Sequence, residues 1–373
     1  MDKVNVPQSR LHALDALRGC AAIGVALFYH MRYLTGDLTM RRPDLAPFGG
    51  LLGAHWLYTH GDGLVDLFFV LSGYIFCHVY RQNAAPLHTP VSTYAINRVA
   101  RLYPLHLLTL FIAGGLIIAA TLQDGSSYGA FIATPIEFFL QIFMLKIGVV
   151  LGSFNAPAWS ISVEFLCYAL FYVVGRQRQT LFVAMSIVFV TIGLLLQQNW
   201  VLLPFRDCWF PRGLVGFFSG ALLFNFSSYV RRVPILVLAL AFIAGLDLSV
   251  TNPPVLHHIA FFARLSLLSW IPLLAIVVRP AVQKLANNPV AKFLGDHSFS
   301  IYLWHVPIAM TILLIHKQIA FQSGQLPFLM SCETVIILVV AALSLRLIER
   351  PAQGWLRSRH SSWRERRVAQ SAW

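Results

Sequence analysis

A succession of ten long apolar runs limits how this chain can fold: roughly 14–31, 64–80, 102–121, 159–175, 179–197, 209–226, 234–250, 258–278, 298–316 and 327–345. A helix crosses the ~30 Å hydrocarbon layer with about 20 apolar residues. Inside that layer every backbone N–H and C=O must bond within its own segment, which a helix achieves. Soluble domains carry about 25% charged residues; this chain carries 12%, with 57% hydrophobic. The expectation is an all-α polytopic membrane protein, a bundle of about ten transmembrane helices. A further apolar segment, 136–151, is short for a crossing and is expected to be re-entrant or interfacial.

Charge supplies the orientation. With both termini cytoplasmic, twenty of the 28 Lys and Arg fall on inner segments and eight on outer segments or span ends, the sign that membrane insertion imposes. A crossing at 136–151 would reverse every later loop and spoil that bias. The net charge of +13 is thus mostly topological. No soluble basic module is present that would bind nucleic acid. Cys20, Cys77, Cys167, Cys208 and Cys332 are scattered without metal-ligand or redox spacing; four of them fall in apolar runs and are expected to be small core residues. No convincing signal peptide opens the chain. Residues 1–351 form the expected transmembrane domain and 352–373 a basic cytoplasmic tail.

Polar groups inside the runs are where chemistry is sought, because ionisable groups there are costly. The first run, LHALDALRGCAAIGVALFYH, puts Asp15 and Arg18 on one helix face. His30 follows about 18 Å further along, just past the membrane midplane if Arg18 marks its inner edge. Gly19, Ala22 and Ala26 lie on the side below His30, leaving room for helix packing or a substrate. Asp66 sits just inside the second run, ahead of Ser72 and Gly73; Asp66 and Ser72 are candidate substrate contacts, with close helix packing the plain alternative for Ser72 and Gly73. Arg98 and Arg101 share a face at the cytoplasmic mouth, beside Tyr103. They are either topological anchors or a clamp for phosphate, which the planar guanidinium fork suits. Trp159, Ser160, Ser162 and Glu164 enter the fourth run from outside. They are either a helix start with its acid in the first turn or a hydrogen-bonding site for a hydroxylated acceptor. Ser300, Tyr302 and His305 open the ninth run, with core packing as the plain alternative. Glu349-Arg350-Pro351 is expected to stop the tenth helix.

Taken in order, LDALRG with its following His, DLFFVLSGY, RVARLYP, PAWSISVEFLCY, FSIYLWHVP and ERP resemble the acyltransferase-3 family of integral membrane acyltransferases. The resemblance spans Leu14 to Pro351. It implies transfer of an acyl group, often acetyl, from cytosolic acyl-CoA to a hydroxyl of a glycan or similar acceptor, at the bacterial inner membrane, with no metal. It also implies that His30 is the essential histidine, with Arg18 its partner and Asp15 beside them. Arg98 and Arg101 match the arginine pair linked to the CoA donor. Many relatives carry a soluble esterase-like domain after the bundle, which this chain is expected to lack. The family usually places ten residues between the first Arg and the His; here eleven lie between Arg18 and His30. One residue turns a helix by about 100°, and a local π-bulge would absorb it. In this scheme His30 is the general base for the acceptor hydroxyl, an acyl-His intermediate being the variant. Ser160, Ser162 and Glu164 face the acceptor, and Ser300, Tyr302 or His305 supports the oxyanion. The rival expectation is a transporter or flippase of lipid-linked glycans, though no internal repeat marks paired transporter halves.

Overall fold

The computed structural model describes residues 11–35, 52–82, 85–124, 134–145, 153–198, 209–256, 258–315 and 326–371, with side chains for all of these except 29–35, 52–55, 123–124, 198, 326–327 and 367–371. Among the described residues all regular structure is helical. In chain order the helices are α1 (His12–Thr35), α2 (Leu52–His60), α3 (Leu64–Tyr80), α4 (Val91–Asp124) and α5 (Pro135–Ile142). Then come α6 (Ala158–Gly175), α7 (Gln179–Gln198), α8 (Trp209–Asn225), α9 (Ser227–Val230) and α10 (Ile235–Thr251). The last are α11 (Phe261–Arg264), α12 (Ile271–Val277), α13 (Pro280–Leu285), α14 (Pro289–Ile315), α15 (Leu326–Ser344) and α16 (Arg350–Ser371). Among the described residues helix occupies most of each of the ten expected runs. Six helical stretches among the described residues are long and apolar enough to cross a membrane: Trp56–Tyr80, Val91–Leu122, Ala158–Gly175, Gln179–Gln197, Pro289–Ile315 and Phe328–Arg366.

Within the doubtful segment 136–151, α5 has eight residues, about 12 Å of rise and under half a bilayer. Thr134 and Glu137 close its first turn as a capping box. Carbonyls at its other end are met from α4: Tyr103 donates to the Ile142 oxygen at 2.5 Å, and His106 Nε2 lies 2.8 Å from that of Gln141. The chain then turns through Met144, whose φ of 55° is left-handed. Tyr103, expected beside a donor, is committed to this docking.

Close helix contacts explain several glycines. A methyl on Gly73 would strike the carbonyl oxygen of Phe217, and one on Gly220 that of Val70, so α3 and α8 touch backbone to backbone. Gly19 and Gly295 allow the same approach of α1 to α14. Ala22 and Ala26 are buried in the main core. α1 is α-helical throughout, so no π-bulge offsets the extra residue before His30. That residue therefore sits about 120° around the axis from Arg18, on the register of Gly19, Ile23 and Ala26.

The ERP sequence does not end a helix. A π-helical turn, Leu345–Glu349, joins α15 to α16, and the looser turn accommodates the Pro351 ring, which would clash in a regular α-helix. The expected tail is thus helical, lying against α4, where Arg364 Nη1 donates to Thr93 Oγ1 at 3.0 Å. Cys77 and Cys167 are buried, but Cys20 and Cys332 are exposed on helix faces rather than in the core; Cys208 lies outside the described residues. Arg81, expected only as a topological charge, has a structural role. Fully buried, it donates to the carbonyls of Gly175 and Gln177 and to Gln179 Oε1, capping α6 and tying α3 to the α6–α7 corner.

Candidate active site

Five helices surround one cavity. From α1 comes Arg18, from α3 Ser72, from α4 Arg98 and Arg101, from α6 Ser160 and Glu164, and from α14 Tyr302. Seven of the residues singled out in the sequence therefore share one wall. Ser160 and Glu164, expected at a separate outer patch, line the same space as the arginine pair.

Each charged group is held differently. Arg18 is fixed to α14: Nε donates to Ser298 Oγ at 2.9 Å and Nη2 to the Gly295 carbonyl at 3.1 Å, with Asp15 3.6 Å away. Arg98 stands in an aromatic box. Its guanidinium carbon is 5.0 Å from the Phe76 ring centre and 5.8 Å from those of Tyr80 and Tyr168, and Nη2 donates to Tyr80 Oη at 3.2 Å. Arg101 has no hydrogen-bonding partner among the described residues. Glu164 Oε1 accepts from Ser72 Oγ and from Tyr168 Oη, the latter at 2.5 Å. Three guanidiniums thus face a cavity containing one carboxylate, a field that favours an anionic ligand.

A second, more open cavity adjoins the first and shares Arg18, Arg101 and Phe299 with it. Asp15, Asp296, Glu349 and Arg350 line it. Arg18 and Arg101 therefore stand at the neck between an outer polar vestibule and the inner chamber.

The remaining candidates lie elsewhere. Asp66 is fully buried and paired with Arg212, whose Nη2 is 2.6 Å from Oδ2 and Nε 3.2 Å from Oδ1. The Arg212 guanidinium lies 3.4 Å from the Phe262 ring centre and 4.9 Å from that of Trp159, so Trp159 packs against this pair. Ser162 donates back to the Ala158 carbonyl of its own helix at 3.2 Å. Ser300 donates to Glu349 Oε1 at 2.5 Å, where Ser344 also donates. His305 is buried, with Nδ1 2.7 Å from the Tyr302 carbonyl; a carbonyl only accepts, so that nitrogen carries the proton. His30 belongs to α1, but its side chain lies outside the described residues. Among the described residues no group of His, Cys, Asp and Glu could hold a metal ion.

Sequence reasoning missed Tyr168, Arg212 and the site position of Glu349. Tyr168 was within reach, being four residues from Glu164 and so on the same helix face. Glu333 was also overlooked: an acid in the apolar α15, it is buried.

The described architecture defines a helical membrane protein with a cationic chamber opening to a polar vestibule. The acyltransferase-3 profile, described as an acyltransferase domain, matches residues 11–347, and the chain belongs to that family. The chain is 34% identical over 116 residues to an acyltransferase, MdmB, of Streptomyces mycarofaciens, covering 30% of this chain and 28% of that one. It is 23% identical over 387 aligned positions to a protein named as an O-acetyltransferase of Staphylococcus aureus (strain COL), covering 91% of this chain and 56% of that one. The chain thus spans about half the length of that staphylococcal relative. No solved structure shows significant similarity.

Proposed function

We propose that this protein is an O-acyltransferase of the bacterial inner membrane, moving an acyl group, acetyl above all, from cytosolic acyl-CoA to a hydroxyl of a glycan or similar envelope acceptor. The observation that carries the reading is the convergence of Arg18, Arg98 and Arg101 with Ser72, Ser160, Glu164 and Tyr302 around one chamber, in a chain belonging to this family. In the reading, ten helices cross and both termini are cytoplasmic, so the vestibule of Asp15, Glu349 and Arg350 opens to the cytosol.

Acyl-CoA enters there. Its phosphates meet Arg101, which no described protein group satisfies, and Arg98, pre-positioned in its aromatic box; Arg18 guards the neck. The flexible arm between phosphates and thioester carries the acyl group toward His30. A sugar hydroxyl is a weak nucleophile at neutral pH, so a base must take its proton as it attacks. His30 accepts that proton, the oxygen bonds to the acyl carbon, and the C–S bond breaks. The imidazolium then returns the proton to the departing thiolate. Glu164 orients the acceptor.

The test is transfer of labelled acetyl from acetyl-CoA by the purified protein in proteoliposomes. His30→Ala is expected to abolish transfer while still inserting as a monodisperse protein. Wild-type turnover by that variant would overturn the catalytic assignment.

A further inference from the structure

The inner chamber is bounded at its end remote from Arg98 by three side chains, and their partners hold them in place. Phe76 lies beneath Arg98; Phe68 is eight residues earlier on α3, about 12 Å away along the axis. Tyr168 and Ser160 are separated equally on α6. On α14, Tyr302 stands four residues, about 6 Å, beyond Ser298, the residue that binds Arg18. Phe68, Ser160 and Tyr302 therefore form one layer across the chamber's far end.

That layer is latched. Tyr302 Oη and Ser160 Oγ are 2.7 Å apart, and both hydroxyls lie within reach of the Pro157 carbonyl, at 3.2 and 3.1 Å. The Phe68 ring meets Tyr302 edge-on with centres 5.3 Å apart. Tyr302 is buried, so the phenol has little freedom to swing aside. Meanwhile α1 and α14 start at the same end of the bundle and run side by side from the Arg18–Ser298 contact. His30 is twelve residues up α1, about 18 Å, against about 6 Å for Tyr302. The layer stands between the arginine chamber and the turn of α1 that bears His30.

We propose that Phe68 and Tyr302, latched through Ser160, form a constriction that the acyl group must thread, and that its width restricts the enzyme to short acyl groups. The inference rests on the acyl-CoA reading above. Apolar walls discriminate by about 10–200-fold per methylene, so two aromatic rings closing one passage are enough to favour acetyl strongly over butyryl.

The test compares acetyl-CoA with butyryl-CoA as donors for purified wild type, Phe68→Leu, Phe68→Ala and Ser160→Ala, reading the ratio of kcat/KM for the two. The ratio of butyryl to acetyl is expected to rise at least about tenfold in Phe68→Ala, less in Phe68→Leu, and also in Ser160→Ala, where the latch is lost. A ring that only packed would lower both rates together and leave the ratio alone. Phe68→Leu, which keeps apolar bulk, covers the case in which the alanine variant fails to fold. An unchanged ratio in folded, active variants overturns the constriction while leaving the acyltransferase reading intact, as does a wild type that uses both donors equally. Wild-type protein that transfers neither acyl group overturns both.

Discussion

Removing one partner of the Asp66–Arg212 pair is expected to be among the costliest single changes in the molecule. The Asp66 side chain is 0% exposed and that of Arg212 6%. The carboxylate receives both guanidinium bonds, while Nη2 also donates to the Asp62 carbonyl at 3.2 Å. Arg212→Met leaves the fully buried Asp66 carboxylate with its charge uncompensated, a situation that costs about 3–5 kcal/mol. Asp66→Leu strands the guanidinium instead and should cost a similar amount. The double variant Asp66→Leu/Arg212→Met removes both charges and refills the space with apolar atoms; such replacements are often neutral or stabilising by about 1–4 kcal/mol. Denaturation in mixed micelles with increasing SDS, followed by tryptophan fluorescence, measures all four corners of the cycle. Residues in contact should couple, so the double should be far more stable than the sum of the singles predicts. A cost below about 1 kcal/mol for Arg212→Met, or additivity within about 0.5 kcal/mol, would refute the assignment of Asp66 to structure and return it to the list of substrate contacts.

Arg101→Ala should raise KM for acyl-CoA by about 10–150-fold, the loss of one charge-assisted hydrogen bond worth about 1.5–3 kcal/mol, with KM for the acceptor little changed; equal changes in the two would remove the phosphate clamp. Tyr168→Phe strips Glu164 of one of its two donors and should raise the acceptor KM several-fold more than the donor KM, measured in the same assay. Gly73→Val should destabilise by at least about 1–3 kcal/mol through overpacking against Phe217. Gly115→Ala, with nothing within 4 Å of the added methyl, should be neutral or slightly stabilising by helix propensity, and SDS titration distinguishes the two.

Much of the site was legible because polar groups in apolar runs stand out against their surroundings. Arg98 and Arg101 at i and i+3, and Ser160 and Glu164 at i and i+4, already shared faces, and helices converging on one chamber needed only those faces to turn inward. What escaped was pairing at long range. Asp66 reads as a functional acid in the sequence because its partner Arg212 lies 146 residues away, near the start of a different apolar run, and nothing local pairs the two. Ser300 likewise looked like a site hydroxyl until Glu349 arrived from α15 across its π turn. Pro351 misled for a local reason: a proline ends a regular helix, but one that follows a π turn does not.

The bond from Arg18 to Ser298 spans 280 residues of sequence, and it has a consequence for how the protein is made. At about 5–20 residues per second, a ribosome needs roughly 14–56 s to synthesise the stretch between them. Throughout that interval the first helix waits beside the translocon with its guanidinium unclaimed by α14. Cells that shed or degrade the nascent chain during this delay would lose product before the chamber ever closes, so mutations that slow insertion of the last third of the chain should reduce yield as surely as those that damage the finished fold.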